Sequence, residues 1–371
     1  MPLSQRQKGA KLNKLPETSA DRCAKQSSLA LLAAISCSVR LIYSAAVYLQ
    51  NTGNAAWIQA IGGMLLALPS LFLLKGGLKF KRIETKGHHV LKKCLYILFV
   101  PFFSFDSASW IFSLAESSSY TTFTGYSLLT LFLIALIVTA VIASRGANAC
   151  GGYAVGAAFV IVFSLILSAV LQAPEMHPIW LTPILGGGIS AIARGSILCG
   201  GYAALYTAGV WLFLQIDNEN IETSVMRRYS WFLPVSGLAA MLFLLLYGML
   251  SPNLPYAPHI RSFALERLLT GGGRGTSVHF PSLIGWYTML LIAAVYSIFC
   301  TSLCLKFLFP GRNLIFCCVV SAILSIAWTP VRMFWKHGED LIVFANIIAV
   351  TGAFVLLFFY NYRLARREKR K

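Results

Sequence analysis

Residues 28–49, SLALLAAISCSVRLIYSAAVYL, form an almost unbroken apolar stretch with one arginine, Arg40, near its middle. A helix that crosses the roughly 30 Å hydrocarbon core of a bilayer needs about 20 mostly apolar residues. Backbone polar groups must pair with each other in hydrocarbon, so a spanning segment is a helix or a strand of a closed barrel. Barrel strands alternate apolar and polar residues, which this stretch does not. We therefore predict a membrane-spanning helix here.

Further stretches of the same kind follow along the whole chain. A mean hydropathy of +0.70 with only 12% charged residues excludes a soluble globular protein of this length. The sequence predicts an all-α polytopic membrane protein with about ten transmembrane helices in one domain, 28–362, between basic tails at 1–27 and 363–371. The further spans lie at 55–75, 91–117, 126–144, 152–173, 191–216, 230–250, 282–305, 313–330 and 341–361.

The basic residues indicate how the chain is oriented. Of the 31 Lys and Arg residues, 24 lie in the two tails and in the loops after even-numbered spans, 5 lie in the opposite loops and 2 lie inside spans. Basic residues stay on the cytoplasmic side, so we expect both termini in the cytoplasm. This bias and attraction to anionic lipid explain the net charge of +18. The basic tails are too short to indicate nucleic-acid binding.

Ten spans divide into two groups of five, and an odd group returns in the opposite orientation. In one such inverted-repeat plan the first helix of each half is broken and binds ligand near the midplane, so spans one and six would be that pair. We predict a break in span six at Gly200 and Gly201, because each glycine weakens a helix by about 1 kcal/mol. Span one has no glycine at its centre, and its candidate break is residues 36–40. The alternative for span six is a small-residue face that packs closely, as we expect for Gly152 and Gly156 in span five.

Ionisable residues inside spans mark candidate functional positions, since each costs at least about 2.5–3.5 kcal/mol at the centre of a helix. Arg40, Asp106, Glu116 and Arg194 qualify. Arg40 and Asp106 fall at similar depth, because spans one and three run in the same direction. We predict that they pair, either to bind a ligand or only to lock two helices. A ligand site among spans one, three, six and eight would use Ser36, Ser38, Arg40, Asp106, Ser196, Cys199, Gly200, Gly201 and Tyr202.

Neither a metal centre nor a catalytic centre is indicated. Most of the nine cysteines lie within spans, and Cys300 and Cys304 lack the accompanying ligands of a zinc site. They fit the role of small hydrophobic residues in helix packing. The six histidines lie in loops without a nucleophile and an orienting acid that the sequence places beside them. We expect no enzyme activity and no cofactor.

Several motifs, taken in order, resemble a known family. They are GNAAWI at 53–58, FSLAE at 112–116, PILGGG at 183–188 and LERL at 265–268. The chain from about residue 28 to 362 is similar to the endospore germination permeases, the B subunits of GerA-type spore germinant receptors. These belong to the amino acid, polyamine and organocation transporter superfamily. The resemblance implies a LeuT-like fold, recognition of a small nutrient such as an amino acid, and residence in the spore inner membrane or the cell membrane.

The resemblance also implies partners, namely a germinant receptor A subunit and a lipoprotein C subunit. The segment 258–270 has the pattern of a short amphipathic helix at the outer interface, where such partners would dock, although it also fits a plain loop. The family pattern departs in span one, where Ser38 and Ala45 replace a glycine and a proline beside Arg40. This departure implies that the Arg40 guanidinium binds the ligand carboxylate in place of bare backbone amides, or that ligand binding has been lost.

Three functions remain open at this point. The leading hypothesis is the membrane subunit of a spore germinant receptor that senses a small nutrient. The alternatives are an ordinary secondary transporter of an amino acid or amine, and a structural subunit that assembles without binding a ligand.

Overall fold

The computed structural model describes residues 19–52, 55–79, 86–121, 123, 125–173, 176–182, 188–214, 222–250 and 280–334. These residues form nine α-helices and one short 3₁₀ helix, Pro178–Leu181. The α-helices are α1 Ser19–Thr52, α2 Ala56–Lys79, α3 Lys86–Thr121, α4 Leu128–Ser144, α5 Ala147–Gln172, α6 Ile189–Leu214, α7 Glu222–Leu250, α8 Phe280–Leu308 and α9 Leu314–Phe334. The predicted tenth span at 341–361 and the segment 258–270 lie outside the described residues.

Each of the first nine predicted spans coincides with one helix. Within the described residues, seven helices are long and apolar enough to cross a membrane, and α2 and α4 contain the shorter apolar stretches Ala56–Leu71 and Leu128–Ser144. The helices often extend beyond the apolar stretch; α1, for example, begins at Ser19, inside the predicted basic tail. The prediction of an all-helical membrane protein is confirmed.

The helices pack in two groups that reveal an internal repeat. One group is α1, α2, α6 and α7, and the other is α3, α4, α8 and α9. Exchanging each helix for the one five places away along the chain (α1 with α6, α2 with α7, α3 with α8, α4 with α9) turns the α2–α6 contact into α7–α1. The same exchange turns α3–α4 into α8–α9 and α3–α9 into α8–α4, and all six contacts are present. Successive spanning helices alternate in direction, so two repeats of five have opposite orientations. The packing therefore has the predicted five-plus-five inverted-repeat plan.

The interior of the protein is formed mainly by α1, α3, α6 and α8. In α8, 89% of the residues in the apolar stretch are buried, against 22% in α9. Helix α5 turns large apolar side chains such as Phe159 and Phe163 outward, as expected for a surface that contacts lipid. A polar side chain in the buried part of these four helices faces protein, and such a side chain needs a partner.

The predicted breaks in α1 and α6 are wrong. Helix α1 runs without interruption through residues 36–40, and α6 runs through Gly200 and Gly201. The small residues of α6 instead let α2 approach closely. A Cβ atom added to Gly200 would lie 2.7 Å from Leu66 Cβ and 3.1 Å from the carbonyl oxygen of Gly63. Ordinary carbon contacts are about 3.5–4.0 Å, so this packing leaves no room for a side chain.

The close contact predicted for Gly152 and Gly156 is also wrong. Both residues are exposed, and a Cβ atom added to either would have no neighbour within 4 Å. The adjacent Gly151 makes the close contact instead, because its Cβ would collide with the side chain of Ser28 on α1. Glycine spacing indicated a small-residue face but not which residue turns toward the neighbouring helix.

Candidate ligand-binding site

A buried ion pair joins α1 to α3. Arg40 Nη1 lies 3.6 Å from Asp106 Oδ1, and the two side chains are 8% and 2% exposed. The pairing predicted from their similar depth is therefore confirmed. A short charge-assisted hydrogen bond between such groups is about 2.7–2.9 Å long. At 3.6 Å the charges attract each other, but the guanidinium does not form a short hydrogen bond with this oxygen.

The other carboxylate oxygen of Asp106 is held by three donors. Its Oδ2 atom accepts hydrogen bonds from Tyr206 Oη at 2.6 Å, Ser297 Oγ at 2.6 Å and Trp110 Nε1 at 3.0 Å. Tyr206 belongs to α6, Ser297 to α8 and Trp110 to α3. Together with Arg40 on α1, these residues bring the four interior helices together around one carboxylate. These are the four helices that the sequence placed around the site.

Aromatic rings surround the Arg40 guanidinium. Its Cζ atom lies 3.8 Å from the ring centroid of Tyr202, 5.2 Å from that of Trp110 and 5.9 Å from that of Tyr43. Cations within about 6 Å of a ring centroid are attracted by the ring electrons. The Nε atom of Arg40 is buried and has no hydrogen-bond partner among the described residues. Leaving such a donor unsatisfied costs about 1–3 kcal/mol, so the site has capacity for one more acceptor.

A second layer of side chains fixes Tyr206. Its ring stacks on Tyr296 of α8 with centroids 5.1 Å apart and an interplanar angle of 9°. Tyr296 Oη donates a hydrogen bond of 2.6 Å to the backbone carbonyl of Tyr206, and Phe103 and Phe213 pack edge-on against Tyr296. These contacts tie α6 to α8 and direct the Tyr206 hydroxyl toward Asp106.

The two serines predicted in span one bond to helix backbone. Ser36 Oγ donates to the carbonyl of Leu32 at 2.8 Å and reaches the carbonyl of Ile292 on α8 at 3.5 Å. Ser38 Oγ donates to the carbonyl of Ala34 at 3.1 Å. Both hydroxyls are therefore engaged next to the ion pair rather than within it.

On α6 the predicted residues divide between two faces. Ser196 and Cys199 face α2, where Cβ atoms added to Gly62 and Gly63 would collide with them. Gly200 lies in the same interface between α6 and α2. Tyr202 reaches the other face and covers the Arg40 guanidinium.

The other two ionisable residues predicted inside spans lie near helix ends. Glu116 is half-buried in the last turns of α3, and Arg194 is exposed in the second turn of α6.

Three residues that hold Asp106 were not identified from the sequence, namely Trp110, Tyr206 and Ser297. They are uncharged and lie within apolar helices, so the high free-energy cost that marks an ionisable residue in a membrane does not mark them. Helical spacing offered one signal, because residues four apart share a helix face. Trp110 follows Asp106 by four residues, and Tyr206 follows Tyr202 by four.

Comparison with solved structures identifies the fold. Mhp1, a nucleobase-cation-symport-1 family transporter in a closed conformation with bromovinylhydantoin bound, is 14% identical with a TM-score of 0.65, and the match covers 92% of this chain and 79% of that one. A mutant of the manganese transporter of Eremococcus coleocola is 14% identical with a TM-score of 0.57, covering 91% and 76%. The same transporter with an aromatic bis-isothiourea substituted compound is 15% identical with a TM-score of 0.55, covering 94% and 78%.

No protein-family profile and no curated protein sequence matches the chain. The structural similarities, at these low identities, show the fold, which is the LeuT-like fold of an integral membrane protein. The solved structures reported above are of transporters and not of enzymes.

Proposed function

We propose that the chain is a secondary transporter that carries a small carboxylate-bearing solute, such as an amino acid, through the centre formed by Arg40 and Asp106. One observation carries this proposal: a buried guanidinium with an unsatisfied Nε donor lies where α1, α3, α6 and α8 meet. Transporters with the same fold lend support, since one of them holds bromovinylhydantoin and another is a manganese transporter.

The geometry suggests how the centre would take up such a solute. A ligand carboxylate would accept from Nε of Arg40 and from the adjacent Nη2, as guanidinium forks commonly bind carboxylates. Asp106 would stay in place, because its Oδ2 is held by three donors that do not involve Arg40. Its Oδ1 would then be available to a ligand ammonium group. An amino acid brings both charges, so the centre stays neutral when it binds.

A receptor function is the second candidate, and one observation favours it. Helices α1 and α6 are continuous, whereas many transporters of this plan bind substrate at broken helices. The motifs shared with germination permeases point the same way. In this alternative the nutrient separates Arg40 from Asp106, and the change is passed to an A subunit and a lipoprotein C subunit in the spore membrane. A structural subunit that binds nothing is the third possibility.

Reconstitution separates these functions. The purified chain would be placed alone in proteoliposomes and tested for uptake of each standard amino acid in radiolabelled form. A transporter gives saturable uptake that is lost in Arg40→Ala and kept in Arg312→Ala, an exposed control between α8 and α9. Absence of uptake, combined with co-purification of A and C subunits on co-expression, would favour the receptor. Absence of uptake, of ligand stabilisation and of such partners would contradict both.

A further inference from the structure

The Arg40 guanidinium lies in a cage that three helices build. Tyr43 on α1, Trp110 on α3 and Tyr202 on α6 contribute ring contacts, and Asp106 contributes the opposite charge. Aromatic rings combined with a carboxylate form the arrangement that recognises organic cations. Here the cation belongs to the chain itself.

The shape of the cage suits a flat cation. The Cζ atom of Arg40 is 3.8 Å from the ring centroid of Tyr202, the shortest of its three ring contacts. A planar guanidinium stacks on an aromatic face while its edges remain free to bond, whereas an ammonium is a compact and strongly hydrated point charge. In this cage Nη1 of Arg40 lies 3.6 Å from Oδ1 of Asp106, and Cζ lies over the ring of Tyr202.

The walls of the cage hold one another without Arg40. Tyr43 Oη lies 3.2 Å from Ser113 Oγ on α3, and the Tyr43 ring meets the Trp110 ring edge-on at 5.1 Å. Asp106 is held through Oδ2 by Tyr206 and by donors on α3 and α8. Tyr202 packs against Phe105 on α3 and Trp328 on α9. We therefore expect a shortened Arg40 side chain to leave a cavity lined by these rings, beside a carboxylate that has lost its cation.

We propose that this cage is a guanidinium-recognition site that is filled from within. Arg40 supplies the cation that balances Asp106, so the resting protein holds this centre neutral without an external cation. A free alkylguanidinium is the class of ligand that the cage accepts once Arg40 is shortened. The inference rests on the cage geometry and not on the proposed transport of a carboxylate solute.

The test is chemical rescue of Arg40→Ala in the full-length chain in detergent. N-ethylguanidinium chloride supplies closely the atoms that the substitution removes, and sodium chloride keeps the ionic strength matched. The melting temperature of the variant should fall below that of the unchanged protein and then rise by a few degrees in a saturable way at millimolar ligand. The unchanged protein, whose cage is full, should not respond. The double variant, Arg40→Ala with Asp106→Ala, lacks the carboxylate. N-ethylguanidinium should not raise its melting temperature either.

No rise in Arg40→Ala, or an equal rise in the unchanged protein or in the double variant, would overturn the proposal. If Arg40→Ala does not fold, Arg40→Lys decides the question, because lysine keeps the charge but not the flat group. The proposal expects Arg40→Lys to melt clearly below the unchanged protein, and equal stability would refute it. Rescue by ethylguanidinium without amino acid uptake would leave this proposal standing while the transport proposal fails.

Discussion

Removal of Asp106 should destabilise the protein more than removal of Arg40, although each change breaks the same ion pair. Breaking a buried pair by removing one partner costs about 3–5 kcal/mol in either case. After Arg40→Ala, Asp106 keeps its three hydrogen-bond donors. After Asp106→Ala, the guanidinium loses the carboxylate and, among the described residues, keeps its ring contacts, while the donors lose their shared acceptor.

The expected difference in stability between the two variants depends on which of the three donors can reach another acceptor once Asp106 is removed. Trp110 Nε1 also lies 2.9 Å from Tyr206 Oη, and the Ala293 carbonyl, 3.0 Å from Ser297 Oγ, is an alternative acceptor for the single hydroxyl proton of Ser297. The hydroxyl proton of Tyr206 has no other acceptor among its described hydrogen bonds. A hydrogen bond to a charged group contributes about 1.5–3 kcal/mol. We therefore expect Asp106→Ala to cost about 1.5–3 kcal/mol more, which is roughly tenfold to a hundredfold in the folding equilibrium.

The assay is equilibrium unfolding of the purified variants in mixed micelles, with denaturing detergent added stepwise. Asp106→Asn is the matched control, because its amide oxygen still accepts from Tyr206 while the charge is gone. Its cost should fall clearly below that of Asp106→Ala. If Arg40→Ala is as destabilising as Asp106→Ala, or if Asp106→Asn costs as much as Asp106→Ala, the three donors do not hold the carboxylate and the reasoning is refuted.

Two further predictions concern helix packing and orientation. Gly200→Ala should lower stability by about 1–3 kcal/mol relative to Gly152→Ala, because both gain helix propensity but only the first forces α2 and α6 apart; equal unfolding curves would contradict close packing at Gly200. The distribution of basic residues predicts that a membrane-impermeant thiol reagent added outside labels a cysteine placed at Asn51 and not one placed at Ser4 or Lys86, in a background without accessible native cysteines. Labelling at Ser4 would reverse the predicted orientation.

The sequence indicated the ion pair because charge in a membrane is costly and depth can be counted along a helix. Arg40 and Asp106 were the charged residues at matching depth on two spans of the same direction, and the structure pairs them. The residues that orient the pair were harder to identify. Ser297 and Tyr206 carry no such cost, and their roles depend on how α8 and α6 rotate about their axes, which composition does not determine.

Glycine was the less reliable signal. The density of small residues around Gly200 fits a helix break and a close helix contact equally well, and the partner decides between them. Gly63 and Leu66 on α2 occupy the space that a side chain at Gly200 would need. For Gly152 and Gly156, the part of the chain that the structure describes places no atom within 4 Å of an added Cβ. Small residues in a span thus indicate close packing only when a second helix with a matching face is identified.

We propose that Arg40 anchors a carboxylate ligand where α1, α3, α6 and α8 meet. The most direct test of this claim is thermal stabilisation of the purified chain by each standard amino acid and by simple carboxylates, measured side by side for the unchanged protein, Arg40→Ala and Arg312→Ala. We expect at least one compound to raise the melting temperature of the unchanged protein and of Arg312→Ala but not that of Arg40→Ala. A compound that stabilises Arg40→Ala to the same extent would place the ligand elsewhere and contradict the claim.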